Sequence, residues 1–457
     1  MSSNSSNPTT GFIDLATYDQ LEKALYGVEN VVTYFVRETV RSTWFTQVPV
    51  KLNLDTASPS FGNTFNATVS SAGDYLLNAW LRVTLGASSV TTPGTANHVA
   101  AWTSNFMHNL VQKCRLTFND MTAAEFYSEH LDMWCAFMLP ENKRSAYNKM
   151  IGNSSAMAGA VGDGPTALNA AGTDLYLPLP FFFSRDSGVA LPTAALPYNE
   201  IKMEFTFRNA ADLVYEVTSA GGNTAVDGLS AGALTNVQVW ANYALVSNNE
   251  RKKMGCAPRD IVIEQAQMVG GTNGGKTFSA TETTQVDLRL AHAVKAIFFG
   301  AKNVEAAGQR SNYGLHNHSG LDGATRAKTD RASNHLAFTA GDQDPIATAK
   351  LMYENTTRME MEGEYYRTIQ GYNHGANAPG NENIDDPFSW PGLHMYSYGL
   401  NVDNVDPCGS TNYGKLTNVS LVFTSSSASA SHHQIYVSAV NHNVVRISGG
   451  ALGFPVL

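Results

Sequence analysis

Strand-like runs of hydrophobic residues dominate this chain, and many of them alternate apolar and polar positions with period two. They are "VVTYFVRETV" (31–40), "DYLLNAWLRVTL" (74–85), "KCRLTFND" (113–120), "EIKMEFTFR" (200–208), "NVQVWANYALV" (236–246), "DIVIEQAQMV" (260–269), "QVDLRLAHAVKAIFFGA" (285–301), "NVSLVFTSSS" (418–427) and "HQIYVSAV" (433–440). Period two is the signature of a half-buried strand, and Gly, Asn, Pro and Ser punctuate the runs as turns. The helical period is confined to two places. Near the start, Thr17 is placed to cap a short helix with Gln20 three residues on; Tyr18, Leu21 and Leu25 share its face and Gly27 stops it. The segment "EFYSEHLDMWCAFMLP" (125–140) is the main helical exception. The pattern predicts an all-β chain of the sandwich or barrel type.

The two halves echo each other in order. "HNLVQKCRLTFN" (108–119) resembles "HAVKAIFFGAKN" (292–303), "EIKMEFT" (200–206) parallels "NVSLVFT" (418–424), and "ALVSNN" (244–249) parallels "SAVNHN" (438–443). Matches in the same order point to a tandem duplication, divided at the charged run "NNERKKMGCAP" (248–258). The expected organisation is an N-terminal arm with a short helix (1–29), a first domain (30–248), a linker (249–258), a second domain (259–447) and a C-terminal tail (448–457).

Composition narrows the function. Of 457 residues, 43% are hydrophobic and only 15% charged, against a usual charged share of about 25%. Such a surface is either neutral and polar or hidden in assembly, because charge is depleted at interface cores. The net charge is −9. Arg251-Lys252-Lys253 is the one basic block, which argues against direct nucleic-acid binding. No apolar run reaches the length of a membrane span, and the N-terminus lacks the basic and apolar regions of a signal peptide. Cys114, Cys135, Cys256 and Cys408 follow no metal-binding spacing and are expected to stay reduced. The sequons at Asn66, Asn153, Asn317, Asn355 and Asn418 then read as chance.

One motif invites an enzymatic reading. In "VGGTNGGKTF", Gly270, Gly275, Lys276 and Thr277 fit the phosphate-binding pattern G-x-x-x-x-G-K-[ST]. A working phosphate loop opens a helix, whose N-terminal amides meet the phosphates. Here "FSATETTQVDLRL" comes next, with Val286, Leu288 and Leu290 alternating, so the motif is expected to connect strands. Other candidates are weaker. His316 and His318 have strand spacing for two metal ligands but sit in a long polar stretch (303–345). His432 and His433 would face opposite ways in a strand. The acidic "NIDDP" (383–387) lacks the spaced ligands of a calcium loop. No G-x-S-x-G elbow is present, and Cys114 and Cys135 have apolar neighbours. No catalytic, cofactor-binding or metal residue is expected, and no cofactor.

The segment "LPLPFFFSRDSGVALPTAALPYNE" (177–200) is the most unusual. Pro178, Pro180, Pro192 and Pro197 forbid a helix, and Phe181, Phe182 and Phe183 put aromatics on both faces. It reads as a core crossover between two sheets, with a subunit contact as the alternative. This segment resembles the signature of the iridovirus major capsid proteins, among the large nucleocytoplasmic DNA viruses. "GFIDLATYDQLEKALYG" (11–27), "AGDYLLNAW" (72–80), "YENTTR" (353–358), "GSTNYGKLTN" (409–418) and "NHNVVRISGGALGFPVL" (441–457) carry the same resemblance. It implies two tandem eight-stranded jelly rolls, a homotrimer of pseudo-sixfold outline, and an icosahedral shell over an internal membrane and DNA genome. It also implies assembly in the host cytoplasm, minor capsid proteins as partners, and an N-terminal arm on the inner face near the membrane. A jelly-roll carbohydrate-binding protein is the alternative from another class.

Overall fold

A computed structural model of the chain describes residues 8–27, 31–37, 39–90, 99–153, 166–169, 172–217, 223–224, 229–230, 232–256, 258–271, 274–278, 283–304, 310–314, 344–378, 392–426 and 433–454. It divides into residues 1–44 and a compact unit, 45–457.

The first unit corrects two expectations. It holds two helices, Pro8–Ala16 and Gln20–Leu25. The cap of the second is Asp19, not Thr17: its carboxylate accepts from Gln20 N, and Glu22 reaches back to the Asp19 amide, closing a reciprocal box. Thr17 instead donates its hydroxyl to Asp14 O, 2.7 Å away. The expected strand at 31–40 is absent among the described residues. β-Branched and aromatic residues give a segment the propensity to pair, but a strand also needs a ladder partner, and Val32, Tyr34, Phe35 and Val40 remain exposed. Phe12, Ile13, Leu15, Leu21 and Leu25 are exposed too.

The second unit repeats one strand plan. In its first half, a four-stranded sheet runs Phe45–Lys51, Leu234–Val246, Tyr75–Leu85, Thr173–Pro178. The facing sheet runs Asn53–Leu54, Thr64–Thr68, Ile201–Phe207, Val111–Phe118, Met121–Tyr127. In the second half the main path of one sheet is Arg259–Met268, His433–Ser448, Ala293–Asn303, Leu393–Ser397. The facing sheet is Thr284–Asp287, Val419–Ser425, Ile346–Tyr353, Thr356–Glu362. Matched by chain order, eight strands of each half correspond, with the short Asn53–Leu54 an addition in the first: first and last strands pair, and each half closes as a jelly roll.

This plan grades the internal echoes. Ile201, Met203 and Phe205 point inward on one strand, and Val419, Leu421 and Phe423 do so on its counterpart. The 200–206 and 418–424 echo is therefore a true equivalence. The 244–249 and 438–443 echo joins equivalent strands out of register. The 108–119 and 292–303 echo joins non-equivalent strands, since Val111–Phe118 corresponds to Ile346–Tyr353 and Ala293–Asn303 to Tyr75–Leu85. Two buried central strands look alike whatever sheet they occupy.

The helical exception starts later than the sequence suggests. Glu125–Tyr127 complete the pairing of Met121–Tyr127 with Lys113–Cys114–Arg115, and the helix runs Ser128–Met138. A second helix, Glu141–Ile151, comes after Pro140 and ends at Gly152, whose φ of 95° only glycine takes freely. The aromatic trio of the proline-rich segment is core. Phe181, Phe182 and Phe183 are buried among Phe126 and residues of both sandwiches, including Ile261, Ile263 and Phe298. At roughly 1.5–3 kcal/mol for each large side chain removed from water, this trio alone is a substantial part of the cohesion between the halves.

Candidate functional site at the seam of the two sandwiches

The two sandwiches meet along edge strands. Met121–Tyr127 lies beside Arg259–Met268, and Gln265 Nε2 donates to Ala123 O at 2.6 Å. Behind this junction the helix Ser128–Met138 is buried at every position except Trp134. Its apolar residues pack on the second sandwich, with Phe137 5.9 Å from Phe298 between ring centroids. Its polar residues are Ser128, Glu129, His130 and Asp132. Such groups are stable in an interior only when paired, and each has a partner here.

Asp132 gathers donors from both halves: Asn105 Nδ2 at 2.9 Å, Ser311 Oγ at 2.6 Å, Tyr313 Oη at 3.1 Å, and His108 Nδ1 at 2.7 Å. Glu129 binds Lys302 Nζ at 2.8 Å and Arg208 Nη2 at 3.4 Å. Burial alone would push its carboxyl up, but the Lys302 and Arg208 cations outweigh that and hold it far below the usual range. His130 places Nδ1 2.6 Å from Ser438 Oγ, and burial pushes its pKa down to about 4. A third cluster joins Arg185, from the proline-rich segment, to Glu264 at 3.2 Å, with Lys295 on the same carboxylate at 2.6 Å. Arg185 also lies 5.5 Å from the Trp134 ring centroid. Removing one partner of a buried pair typically costs about 3–5 kcal/mol, because it strands the other charge. These buried contacts tie the two sandwiches together across the seam.

The sequence candidates are not brought together. The Gly-rich motif connects Arg259–Met268 to the short strand Lys276–Thr277, which pairs with Ile435 and Gln434. Its lysine is exposed and donates to Gln285 O. Val286, Leu288 and Leu290 are buried on the strand side, as alternation predicts. His433 is buried with Nε2 2.7 Å from Gly314 O, while His432, His316, His318 and residues 383–387 lie outside the described residues. Among the described residues no group of three His, Cys, Asp or Glu is placed to hold a metal, and no helix is long and apolar enough to cross a membrane. Cys114, Cys135 and Cys408 are free thiols. Burial pushes Cys135 up to about 12 and Cys114 well above the usual range, so neither supplies a thiolate. The residues that matter, Glu129, Asp132, Arg208 and Lys302, do not stand out in the sequence. The available signal was charge inside apolar runs, in "SEHLDMW" and "IFFGAKN".

Known proteins place the chain. The family described as "Major capsid protein N-terminus" matches residues 33–246, and "Large eukaryotic DNA virus major capsid protein" matches 250–453. The major capsid protein of Costelytra zealandica iridescent virus is 43% identical, covering 100% of each chain. That of Invertebrate iridescent virus 3 is 44% identical, covering 99% of this chain and 100% of its own. That of Lymphocystis disease virus 1 is 40% identical over 99% of each. In structure, a chain of the PBCV-1 virus capsid matches with TM-score 0.69 at 21% identity, covering 93% of this chain and 100% of that one. The Faustovirus major capsid protein matches with TM-score 0.66 at 12% identity, covering 96% and 98%. With both sandwiches and the seam between them accounted for, the chain belongs to the major capsid proteins of large eukaryotic DNA viruses, in the iridovirus branch, and its work is structural, in the virion shell.

Proposed function

We propose that three copies of this chain close into a stable homotrimer of pseudo-hexagonal outline, the capsomer of an icosahedral shell around an internal membrane and DNA genome. The strands within residues 30–248, beginning at Phe45, and those within 259–447 supply the two jelly rolls, joined through 249–258. The observation that carries the reading is the repeated strand plan joined by a buried ionic seam. Two similar rigid lobes per chain become six similar wedges in a trimer. A threefold ring needs one patch to meet an unlike patch on the next copy, and two related but non-identical lobes offer that. The scarcity of charge fits extensive coverage between copies. An obligate contact of this kind buries more than about 2,000 Å².

The N-terminal arm, with its exposed Phe12, Leu15, Leu21 and Leu25, docks on the inner side of the shell, near the membrane or minor capsid proteins. Assembly takes place in the host cytoplasm. Electron microscopy of the purified chain tests the reading. Particles with threefold symmetry and a hexagonal outline are expected, and isolated single chains or twofold particles would contradict it.

A further inference from the structure

One polar cleft opens beside the seam. It has a volume of about 510 Å³ and is lined by Glu129, Arg208, Asp212, Arg310, Gln434 and Tyr436, with Gly275 of the Gly-rich motif at its wall. We propose that this cleft binds a small tetrahedral oxyanion of the phosphate type.

The charge inventory comes first. Arg208 and Arg310 line the cleft with Glu129 and Asp212, and Lys302, outside the lining, joins the set through Glu129, which makes three cations against two carboxylates. Lys302 takes Glu129 at 2.8 Å and Arg310 takes Asp212 at 3.2 Å. Arg208 is left 3.4 Å from Glu129, and its shortest hydrogen bond, 2.8 Å, goes to the neutral Ser128 hydroxyl. Its side chain is only 8% exposed. Arg208 and Lys302 thus share the single Glu129 carboxylate, the set carries one cation more than its carboxylates balance, and one more negative charge in the cleft would balance it.

The second observation is mutual repulsion. Burial and the nearby Arg208 guanidinium together push Arg310 below the ordinary arginine range. An anion between two guanidinium forks relieves this, since planar donors match the oxygens of a tetrahedral anion.

The third is room. Gln112, Asn209 and Gln434 add neutral hydrogen-bonding groups. At Gly275 a Cβ would come within 2.6 Å of Gln434 Oε1 and 2.7 Å of Tyr436 Oη, so the missing side chain lets the loop close around the cleft. The motif's own lysine takes no part, because Lys276 donates to Gln285 O.

The test is titration of the full-length chain with inorganic phosphate at constant ionic strength against chloride, read by calorimetry and by phosphorus NMR line width. One anion per chain is expected. Arg310→Gln removes a charged donor and should weaken binding roughly tenfold or more. Gln434→Glu keeps the acceptor for Tyr436 Oη, which lies 3.0 Å away, but adds a carboxylate, and should weaken binding at least as much. If Arg310→Gln fails to fold, Gln434→Glu decides. Lys276→Ala should bind like the wild type. Phosphate binding no stronger than chloride, undiminished binding in both cleft variants, or loss of binding in Lys276→Ala would each overturn the proposal.

Discussion

Acidification should loosen the seam through His130, and the size of the effect comes from its burial. The imidazole sits in the junction, bonded to Ser438 Oγ and edge-on to Phe298 at 6.4 Å between centroids. Its pKa of about 4 in the fold lies below the ordinary 6.5 because burial disfavours the charged ring. In the unfolded chain the ring takes a proton near pH 6.5; in the folded chain it refuses one until near pH 4. Stability from this group is therefore fully present above about pH 6.5 and lost as pH falls towards 4. Between about pH 7.5 and pH 5 the loss is about 2 kcal/mol, at 1.36 kcal/mol per pKa unit. Glu129 acts lower: its depressed carboxyl gives stability that is lost only as pH falls below the ordinary carboxylate range. The two windows are separable. The assay is proton uptake on urea unfolding near pH 5, measured in a pH-stat, for wild type and His130→Asn. Wild type should take up about one proton more per chain than the variant. His442, also pushed down by burial and by Lys295, contributes equally to both and cancels. Equal uptake in the two proteins would refute the assignment of the buried neutral ring.

Two further outcomes are expected. Deleting residues 1–27 should leave a folded trimer that assembles particles poorly, because the described helices there bury no side chain of their own and short isolated helices are marginal in water; an unfolded or monomeric truncation, seen by circular dichroism and sedimentation, would place the arm in the core. Mass spectrometry without reductant should find four free thiols, with Cys114 and Cys135 labelled only after unfolding; a stoichiometric disulfide would contradict this.

The strands were legible because one face of each is buried and the alternation is the direct imprint of that burial, as in Ile201–Phe207. The core role of Phe181–Phe183 was legible because prolines excluded a helix and aromatics faced both ways. Sequence pattern misled where the deciding partner is distant or absent. Residues 31–40 are rich in the β-branched and aromatic residues of strands, yet no described strand pairs with them. Lys302 and Glu129 stand 173 residues apart, and nothing local marks either as buried. The helix Glu141–Ile151 did carry signals, Pro140 before it and Gly152 after it, but its weak apolar face left the period faint. The Gly-rich motif shows the reverse case: four matching positions meant little, because Thr277 leads into strand, not helix.

The homotrimer is tested most directly by sedimentation equilibrium of the full-length chain over dilution from micromolar to nanomolar concentration. A mass of three chains should persist throughout, as expected of an obligate assembly whose subunits hide neutral and apolar surface from water. A monomer at micromolar concentration, or a dimer of even symmetry, would contradict it.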